Sequence, residues 1–223
     1  MKLSVIIPAF NEGERIRETL IAVRTAAPDG QIIVVDDGSS DDTYKIAEQS
    51  GADVVIRSEH KGKGDALNTG CQLADGNILL LLDADLGSSA DQAFSLLEPV
   101  VEGAADMTIA VFTSSGSSGG GMGLAVGAAR TGIKLLTGRV MRAPLSGQRA
   151  ISRDALNTLL PLSPGWGAEV SLTVKALQAG LRVLEVECAL THRVTGKSLT
   201  DILHRAAQFF AILTTLILCK FRH

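Results

Sequence analysis

The sequence has only three cysteines, Cys71, Cys188 and Cys219, and none has the spacing of a zinc ligand. Because they are odd in number and far apart, we interpret them as reduced core thiols of a cytosolic protein without disulfides. A signal-peptide core is also lacking, since the first apolar run ends early at Asn11 and Glu12. We therefore expect a cytoplasmic protein.

Strong charge of either sign and the common nucleotide motifs are absent too. The net charge of −3 gives no reason to expect nucleic-acid binding. No G-x-G-x-x-G follows the first apolar run, as it would in a dinucleotide-binding protein. The loop Lys61-Gly62-Lys63-Gly64 is not a Walker loop, because the glycines before its lysine have the wrong spacing.

What the chain does have is a regular alternation of short apolar runs and helical patterns over 223 residues. Strands are predicted near residues 3–8, 31–36, 53–57, 78–83, 107–112 and 182–186. Such alternation indicates βαβ units, and 46% hydrophobic residues can form one sizeable core. The prediction is a single α/β domain with a mostly parallel sheet.

Local signals predict several helices and one loop. Asn11 is expected to cap the first helix and Ser152 a later one. Further helices are predicted over residues 91–101, 124–136 and 199–221. Residues 113–123 are rich in Ser and Gly without a hydrophobic period, which predicts a mobile loop that is either a lid or a plain connection.

The most informative stretch is Leu79 to Leu82 followed by Asp83, Ala84 and Asp85. Four consecutive leucines predict a strand buried on both faces, whose carboxyl end lies at the ligand-binding edge of a parallel sheet. Two carboxylates at this edge suit Mg²⁺ or Mn²⁺ held together with a substrate's phosphates. The alternative is an ordinary polar turn, in which Asp is common.

Other unusual residues also follow predicted strands. Asp36 and Asp37 could accept hydrogen bonds from a nucleobase or ribose, although a β-turn with Gly38 explains them equally well. Lys61 and Lys63 could contact a diphosphate or belong to a solvated loop. Because all of these residues lie near one edge of the predicted sheet, the pattern indicates a nucleotide site.

Four motifs resemble those of family-2 glycosyltransferases with the GT-A fold, and they occur in that family's order. They are Val5-Ile6-Ile7-Pro8-Ala9-Phe10-Asn11-Glu12, Val34-Val35-Asp36-Asp37-Gly38-Ser39-Ser40-Asp41-Asp42-Thr43, Gly62-Lys63-Gly64-Asp65-Ala66-Leu67-Asn68 and Asp83-Ala84-Asp85. The resemblance implies a nucleoside-diphosphate sugar, most commonly a UDP-sugar, as the donor. It implies a nucleotide-sugar site at Pro8, Ala9, Phe10, Glu12, Asp36, Gly62, Lys63, Asp83, Ala84, Asp85, Gln148 and Arg149. Asp85 would be the more direct metal ligand, with Asp83 nearer the ribose.

The second half is similar to two branches of this family. Pro144 to Gly147, Gly165 to Glu169 and Thr191-His192-Arg193 resemble glucosyl-3-phosphoglycerate synthases, which implies His192 as a third metal ligand. This chain has Met122-Gly123 where that branch has an acceptor-binding Arg, and Val194 replaces an expected Asn. Asp83 to Leu86 and His192 to Ser198 are similar to polyprenyl-phosphate glycosyltransferases, but Gly87 replaces their usual Gln. The acceptor is therefore expected to be polyprenyl phosphate or, alternatively, a small phosphorylated molecule.

The last helix could lie on a membrane, cover the core or form a homodimer face. It is apolar from Ala206 to Cys219 except for Gln208, Thr214 and Thr215, and this is too short to span a bilayer. Basic residues near it, such as Lys197, Arg205 and Lys220, suit peripheral contact at the cytoplasmic face of a membrane. We therefore divide the chain into a glycosyltransferase domain over 1–197 and an apolar or amphipathic helix over 198–223.

The expected reaction is an inverting sugar transfer, in which a metal held at Asp83 and Asp85, helped by Lys63 or Arg149, would neutralise the charge that builds on the departing diphosphate. A hydroxyl acceptor would need a general base, for which Glu169 is the candidate. Two other classes share some of these features. A sugar nucleotidyltransferase should open with a G-x-G-T-R loop, which is absent, and a non-catalytic nucleotide-binding protein should have lost one acidic pair, whereas both are present.

Overall fold

A computed structural model of the protein describes residues 2–113, 122–191 and 199–220. Its described part contains one seven-stranded sheet of order β3-β2-β1-β4-β6-β5-β7, in which β6 alone runs antiparallel to its neighbours. The strands are β1 (Leu3–Ala9), β2 (Gln31–Asp36), β3 (Val54–Arg57), β4 (Ile78–Leu81), β5 (Met107–Phe112), β6 (Arg149–Ser152) and β7 (Val183–Cys188). The prediction of an α/β domain with a mostly parallel sheet is confirmed.

Helices cover both faces of the sheet. They are α1 (Ile16–Ala26), α2 (Thr43–Glu48), α3 (Lys63–Leu73), α4 (Glu98–Val101), α5 (Met122–Thr137), α6 (Arg153–Leu159), α7 (Ala168–Gln178) and α8 (Leu199–Lys220), with 3₁₀ turns at Gly87–Leu96 and Gly165–Gly167. Ser152 caps α6 as predicted, because its hydroxyl accepts a hydrogen bond from the backbone N–H of Ala155.

Two helix predictions are wrong. Asn11 does not cap α1, which begins at Ile16 without a side-chain cap. Asn11 instead adopts the left-handed conformation (φ 55°) and accepts a hydrogen bond from the Ser40 N–H at 2.9 Å. The continuous helix expected over 91–101 is replaced by the 3₁₀ turn and α4, since Pro99 can start a helix but would break its interior.

The core lies on both sides of the central strands, as the leucine run predicted. Leu80 packs on one side with α1 and the first 3₁₀ turn, whereas Leu79 and Leu81 pack on the other with α3, α5, α7 and α8. All three side chains are almost fully buried. The strand that ends before Asp83 is therefore a fully buried support for a site at its carboxyl end.

The inner face of α8 covers the part of the core that lies on the same side of the sheet as α3, α5 and α7. Covering the core is one of the three roles predicted for this helix. Ile212 and Leu216 are buried there, and a Cβ at Gly132 or at Gly167 would overlap Leu216 or Thr215. Among the described residues, no helix has the length and apolarity that a bilayer span requires. The predicted boundary at 197/198 and most of the predicted loop over 113–123 lie outside the described residues.

Candidate active site

The loops that follow β1 and β2 are held together at the carboxyl edge of the sheet. The backbone N–H of Asn11 donates to the Ser39 hydroxyl at 2.9 Å, and that of Glu12 donates to the Thr43 hydroxyl at 2.8 Å. Pro8 and Ala9 end β1 opposite Val35 and Asp36. These contacts fix the first predicted nucleotide-binding segment against the second.

Asp36 and Asp37 both organise the backbone around them. Asp36 is fully buried, accepts a hydrogen bond from the Ser39 N–H at 3.0 Å and pairs with the Arg57 guanidinium at 3.1 Å. Asp37 accepts hydrogen bonds from the backbone N–H groups of Lys61 and Gly62 at 2.9 and 2.8 Å. Both carboxylates therefore hold backbone groups of the surrounding loops, and Asp37 also positions the loop that leads to Lys63.

An aromatic pair that the sequence did not reveal lies beside these loops. The rings of Phe10 and His60 are stacked with centroids 4.2 Å apart, and Nδ1 of His60 is 2.9 Å from Asp37 Oδ2. Phe10 is 43% exposed, so one flat apolar surface remains open at the edge of the sheet. Such a surface can stack against a nucleobase.

At the centre of the site, Lys63 lies between two carboxylates. Its Nζ is 2.5 Å from Asp83 Oδ1 and 2.7 Å from Glu169 Oε1. Burial disfavours the charged ammonium, but the two carboxylates outweigh this effect and raise the pKa of Lys63. The lysine is therefore a fixed positive charge at neutral pH.

Glycines make this arrangement possible. Lys63 begins α3, and the next residue, Gly64, is so close to the turn before α7 that a Cβ there would lie 2.0 Å from the Ser163 carbonyl oxygen. Asn68 reinforces the same contact by donating to the Leu162 carbonyl at 3.0 Å and accepting from its N–H at 2.8 Å. The predicted Gly-Lys-Gly motif thus brings the start of α3 to Glu169 at the start of α7.

The segment before β6 approaches Asp83 from the other side. Gln148 donates from Nε2 to Asp83 Oδ2 at 2.6 Å. A Cβ at Gly147 would lie 2.6 Å from Lys63 Nζ and within 3 Å of both carboxylate oxygens of Asp83, so only glycine fits there. Gly147 was quoted in a motif but not predicted as a site residue; the close approach depends on the antiparallel pairing of β6 with β4.

Arg149 is a buried charge behind the site. Its guanidinium donates to the Ser146 carbonyl at 3.0 Å and to the Thr173 hydroxyl at 2.9 Å, while Nη2 has no hydrogen-bond partner within the described residues. Burial lowers the pKa of Arg149 to about 10, against the opposing attraction of Glu169, Glu185 and Asp83. Arg149 therefore contributes positive potential to the site from within the core.

The turn that carries Asp83, Ala84 and Asp85 is supported by α1. The buried hydroxyl of Thr19 donates to the Ala84 carbonyl and accepts from the Gly87 N–H, each at 2.8 Å. Arg15 donates to the Asp85 carbonyl at 3.4 Å. Nothing in the sequence distinguished Thr19 from an ordinary helix residue, so its role was not predicted.

Asp83 and Asp85 offer the hard oxygen ligands that Mg²⁺ and Mn²⁺ prefer. The described residues contain no cluster of three acidic, His or Cys side chains that could hold a metal alone. This still fits these two cations, which are commonly held by one or two carboxylates plus substrate phosphates. The predicted third ligand, His192, lies outside the described residues.

The structure thus brings Lys63, Asp83, Gln148 and Glu169 into direct contact and places Arg149 behind them. Pro8, Ala9, Phe10, Glu12 and Asp36 form a neighbouring group, which Asp37 and Gly62 connect to Lys63. Each contact was absent from the predictions, although the residues were named.

The sequence of this chain is similar to those of known glycosyltransferases. A family model described as Glycosyl transferase family 2 matches residues 4–160. Glycosyltransferase AglJ of Haloferax volcanii is 27% identical over 201 residues, which cover 86% of this chain and 64% of that protein. Glucosyl-3-phosphoglycerate synthase of Mycobacterium tuberculosis is 33% identical over 196 residues, which cover 77% and 60%. The chain therefore spans less than two thirds of the length of these two relatives.

The fold of this chain is also similar to that of a solved structure. The glucosyl-3-phosphoglycerate synthase of M. tuberculosis in complex with Mn²⁺, UDP-glucose and phosphoglyceric acid matches with a TM-score of 0.78 at 27% identity. The match covers 100% of this chain and 81% of that one. The similarity thus extends from the sheet to the carboxyl-terminal helices.

Proposed function

Because this chain belongs to glycosyltransferase family 2, we propose that it transfers a sugar from a UDP-sugar to a phosphorylated acceptor. The observation that carries the proposal is the placement of Lys63 between Asp83 and Glu169. A fixed ammonium beside an acidic pair, at the carboxyl edge of the sheet, suits a donor that carries a diphosphate.

The proposed donor site has two parts. Pro8, Ala9, Phe10, Glu12 and Asp36 would bind the uridine, with the open face of Phe10 available for stacking. Gly62, Lys63, Asp83, Ala84 and Gln148 would contact the ribose and the diphosphate, and Arg149 would act on them from behind through its charge. A similar protein has been solved with UDP-glucose and Mn²⁺, which supports a UDP-sugar as the donor.

Asp83 and Asp85 are the residues that we propose hold Mg²⁺ or Mn²⁺, with His192 as a third ligand. When bound, such an ion neutralises negative charge on the diphosphate leaving group. Structures of a similar protein contain Mn²⁺ in one case and Mg²⁺ in another, both with UDP.

The chain's own residues supply the remaining electrostatics. Lys63 would donate hydrogen bonds to the diphosphate oxygens, and its raised pKa keeps it charged for this task. Gln148 holds the Asp83 carboxylate in a fixed orientation through its bond to Oδ2. Arg149 adds a positive charge that water does not screen, because it is buried.

The acceptor is proposed from its chemistry. A similar synthase binds phosphoglyceric acid, which supports a small phosphorylated acceptor. With such a molecule a hydroxyl would attack, and Glu169 is the proposed base. Polyprenyl phosphate is the other acceptor of this class; its phosphate oxygen is already anionic and needs no base.

The experiment is a transfer assay with labelled UDP-glucose, Mn²⁺ and either 3-phosphoglycerate or polyprenyl phosphate in detergent. We expect one acceptor to gain a hexose by mass spectrometry, with stoichiometric release of UDP. Asp85→Ala should abolish the product, whereas Asp91→Ala, an exposed acid in the neighbouring 3₁₀ turn, should not. Full activity of Asp85→Ala would contradict the assigned site, and product formation with neither acceptor would contradict the acceptor class.

A further inference from the structure

Helices α5 and α8 pack against each other closely. A Cβ at Gly132 of α5 would lie 2.4 Å from the side chain of Leu216 of α8, so Leu216 would have to shift if residue 132 carried a side chain. Ala129, Ile133 and Ile212 of the same helices are fully buried on the core side. The two helices therefore form one layer with a shared outer surface.

That outer surface is unusually apolar. Eleven large hydrophobic side chains are recorded as exposed among the described residues, and five of them belong to these two helices. They are Leu124 (76% exposed), Leu135 (81%), Phe210 (66%), Ile217 (58%) and Leu218 (59%). Leu135 lies about one turn beyond Gly132, and Ile217 directly follows Leu216, so both flank the line where the helices meet. We call this surface the α5–α8 face.

Charge is segregated on the same part of the chain. Residues 107–153 include six basic residues and no acidic one. No acidic residue follows Asp201 either. This contrasts with the net charge of −3 for the whole chain. On and just after α5, Arg130, Lys134 and Arg139 are exposed.

The acidic residues recorded next to this segment are already engaged. Glu187 pairs with Arg142 at 2.8 Å, and Glu185 accepts hydrogen bonds from the backbone N–H groups of Arg142 and Ala143. Among the described residues, Arg130, Lys134 and Arg139 form no ion pair with a carboxylate, so their positive charge is available at this surface.

We propose that the α5–α8 face binds the surface of a membrane that contains anionic lipids. Exposed Leu, Ile and Phe side chains can enter the acyl boundary while Lys and Arg attract the headgroups. A second copy of this chain fits less well, because an isologous contact would bring the basic residues of both copies together. This inference goes beyond the proposed function and does not depend on it.

The test is co-sedimentation of the full chain with vesicles of phosphatidylcholine alone and of phosphatidylcholine mixed with phosphatidylglycerol. We expect binding to the anionic vesicles only, and release at high salt. Ile217→Glu should weaken binding by about tenfold or more, since it removes an inserted apolar side chain. Lys134→Glu should weaken it by roughly twentyfold through charge reversal.

Matched controls exist on the opposite part of the fold. Ile21 of α1 is 55% exposed, close to the 58% of Ile217, and Lys45 of α2 is exposed like Lys134. Ile21→Glu and Lys45→Glu should bind vesicles like the unsubstituted protein. Thermal unfolding of all four variants verifies that they are folded, and the midpoint shift with UDP and Mn²⁺ reports the donor site separately.

Three outcomes would overturn the proposal. The unsubstituted protein could remain in the supernatant with anionic vesicles, or the control substitutions could reduce binding as much as Ile217→Glu. Light scattering could instead show a dimer that Ile217→Glu dissociates without any vesicle binding, which would assign the α5–α8 face to self-association.

Discussion

Replacing Lys63 by methionine is the perturbation that the site geometry predicts most directly. The ammonium contacts Asp83 and Glu169 at 2.5 and 2.7 Å, and the side chains of Lys63 and Glu169 are only 23% and 11% exposed. Removing one partner of a fully buried ion pair costs about 3–5 kcal/mol, whereas a surface pair contributes about 0–1 kcal/mol. Because Lys63 is partly exposed, we expect a loss of about 2 kcal/mol.

For a domain of this size, that loss lowers the unfolding midpoint by about 4–8 °C. Calorimetry or urea unfolding measures it. Lys61→Met is the matched control, since Lys61 lies two residues earlier, is 63% exposed and is 3.7 Å from Glu59. That variant should stay within about 0.5 kcal/mol of the unsubstituted protein.

A double-mutant cycle isolates the interaction itself. In Lys63→Met, the Glu169 carboxylate loses its counter-ion, and Glu169→Gln should then recover part of the lost stability. A coupling free energy of about 1–3 kcal/mol is expected. If Lys63→Met unfolds at the same temperature as Lys61→Met, or if the two substitutions are additive, the ion pair does not exist in solution as described.

Three further predictions concern neighbouring parts of the fold. Gly64→Ala should destabilise by about 1–3 kcal/mol in urea unfolding, because its Cβ would collide with the Ser163 carbonyl, whereas Gly127→Ala, with nothing within 4 Å, should stabilise slightly. Burial raises the pKa of the Cys71 thiol to about 12 despite the opposing charge of Arg153. As the pH rises, the unfolded chain therefore loses the thiol proton at a lower pH than the folded chain. Stability should then fall by about 1.4 kcal/mol between about pH 8 and about pH 10, and Cys71→Ala should remove that part of the pH dependence. Arg149→Met should leave the unfolding free energy unchanged or raise it, since it removes a buried charge, while reducing the midpoint shift with UDP; a large loss of stability would contradict this account of Arg149.

The strands and the acidic pair could be predicted from the sequence because their signals are local. The four leucines before Asp83 predict a buried strand that ends at this residue, and this prediction does not depend on which helices pack on the strand. The prediction for Asn11 was wrong because its sequence context fits a helix cap, whereas its amide oxygen accepts a hydrogen bond from the Ser40 N–H. This hydrogen bond depends on a loop that is distant in sequence.

The contacts at the centre of the site could not be predicted for the same reason. Lys63, Asp83 and Glu169 belong to three segments, and they meet only because Gly64 lets α3 approach the turn before α7. The support that Thr19 gives to the Asp83 turn is equally non-local. Composition and periodicity carry no information on such tertiary hydrogen bonds.

Binding of a uridine diphosphate together with a metal at Asp83 and Asp85 is the central part of the proposed function. The most direct measurement is the unfolding midpoint with UDP, with and without Mn²⁺, for the unsubstituted protein and for Asp85→Ala. Ligand at about 100 times its dissociation constant stabilises by about 2.7 kcal/mol, which corresponds to a rise of about 5–10 °C. We expect this rise only when both UDP and Mn²⁺ are present, and its loss in Asp85→Ala. The same rise without metal or in Asp85→Ala, or no rise under any condition, would contradict this proposal.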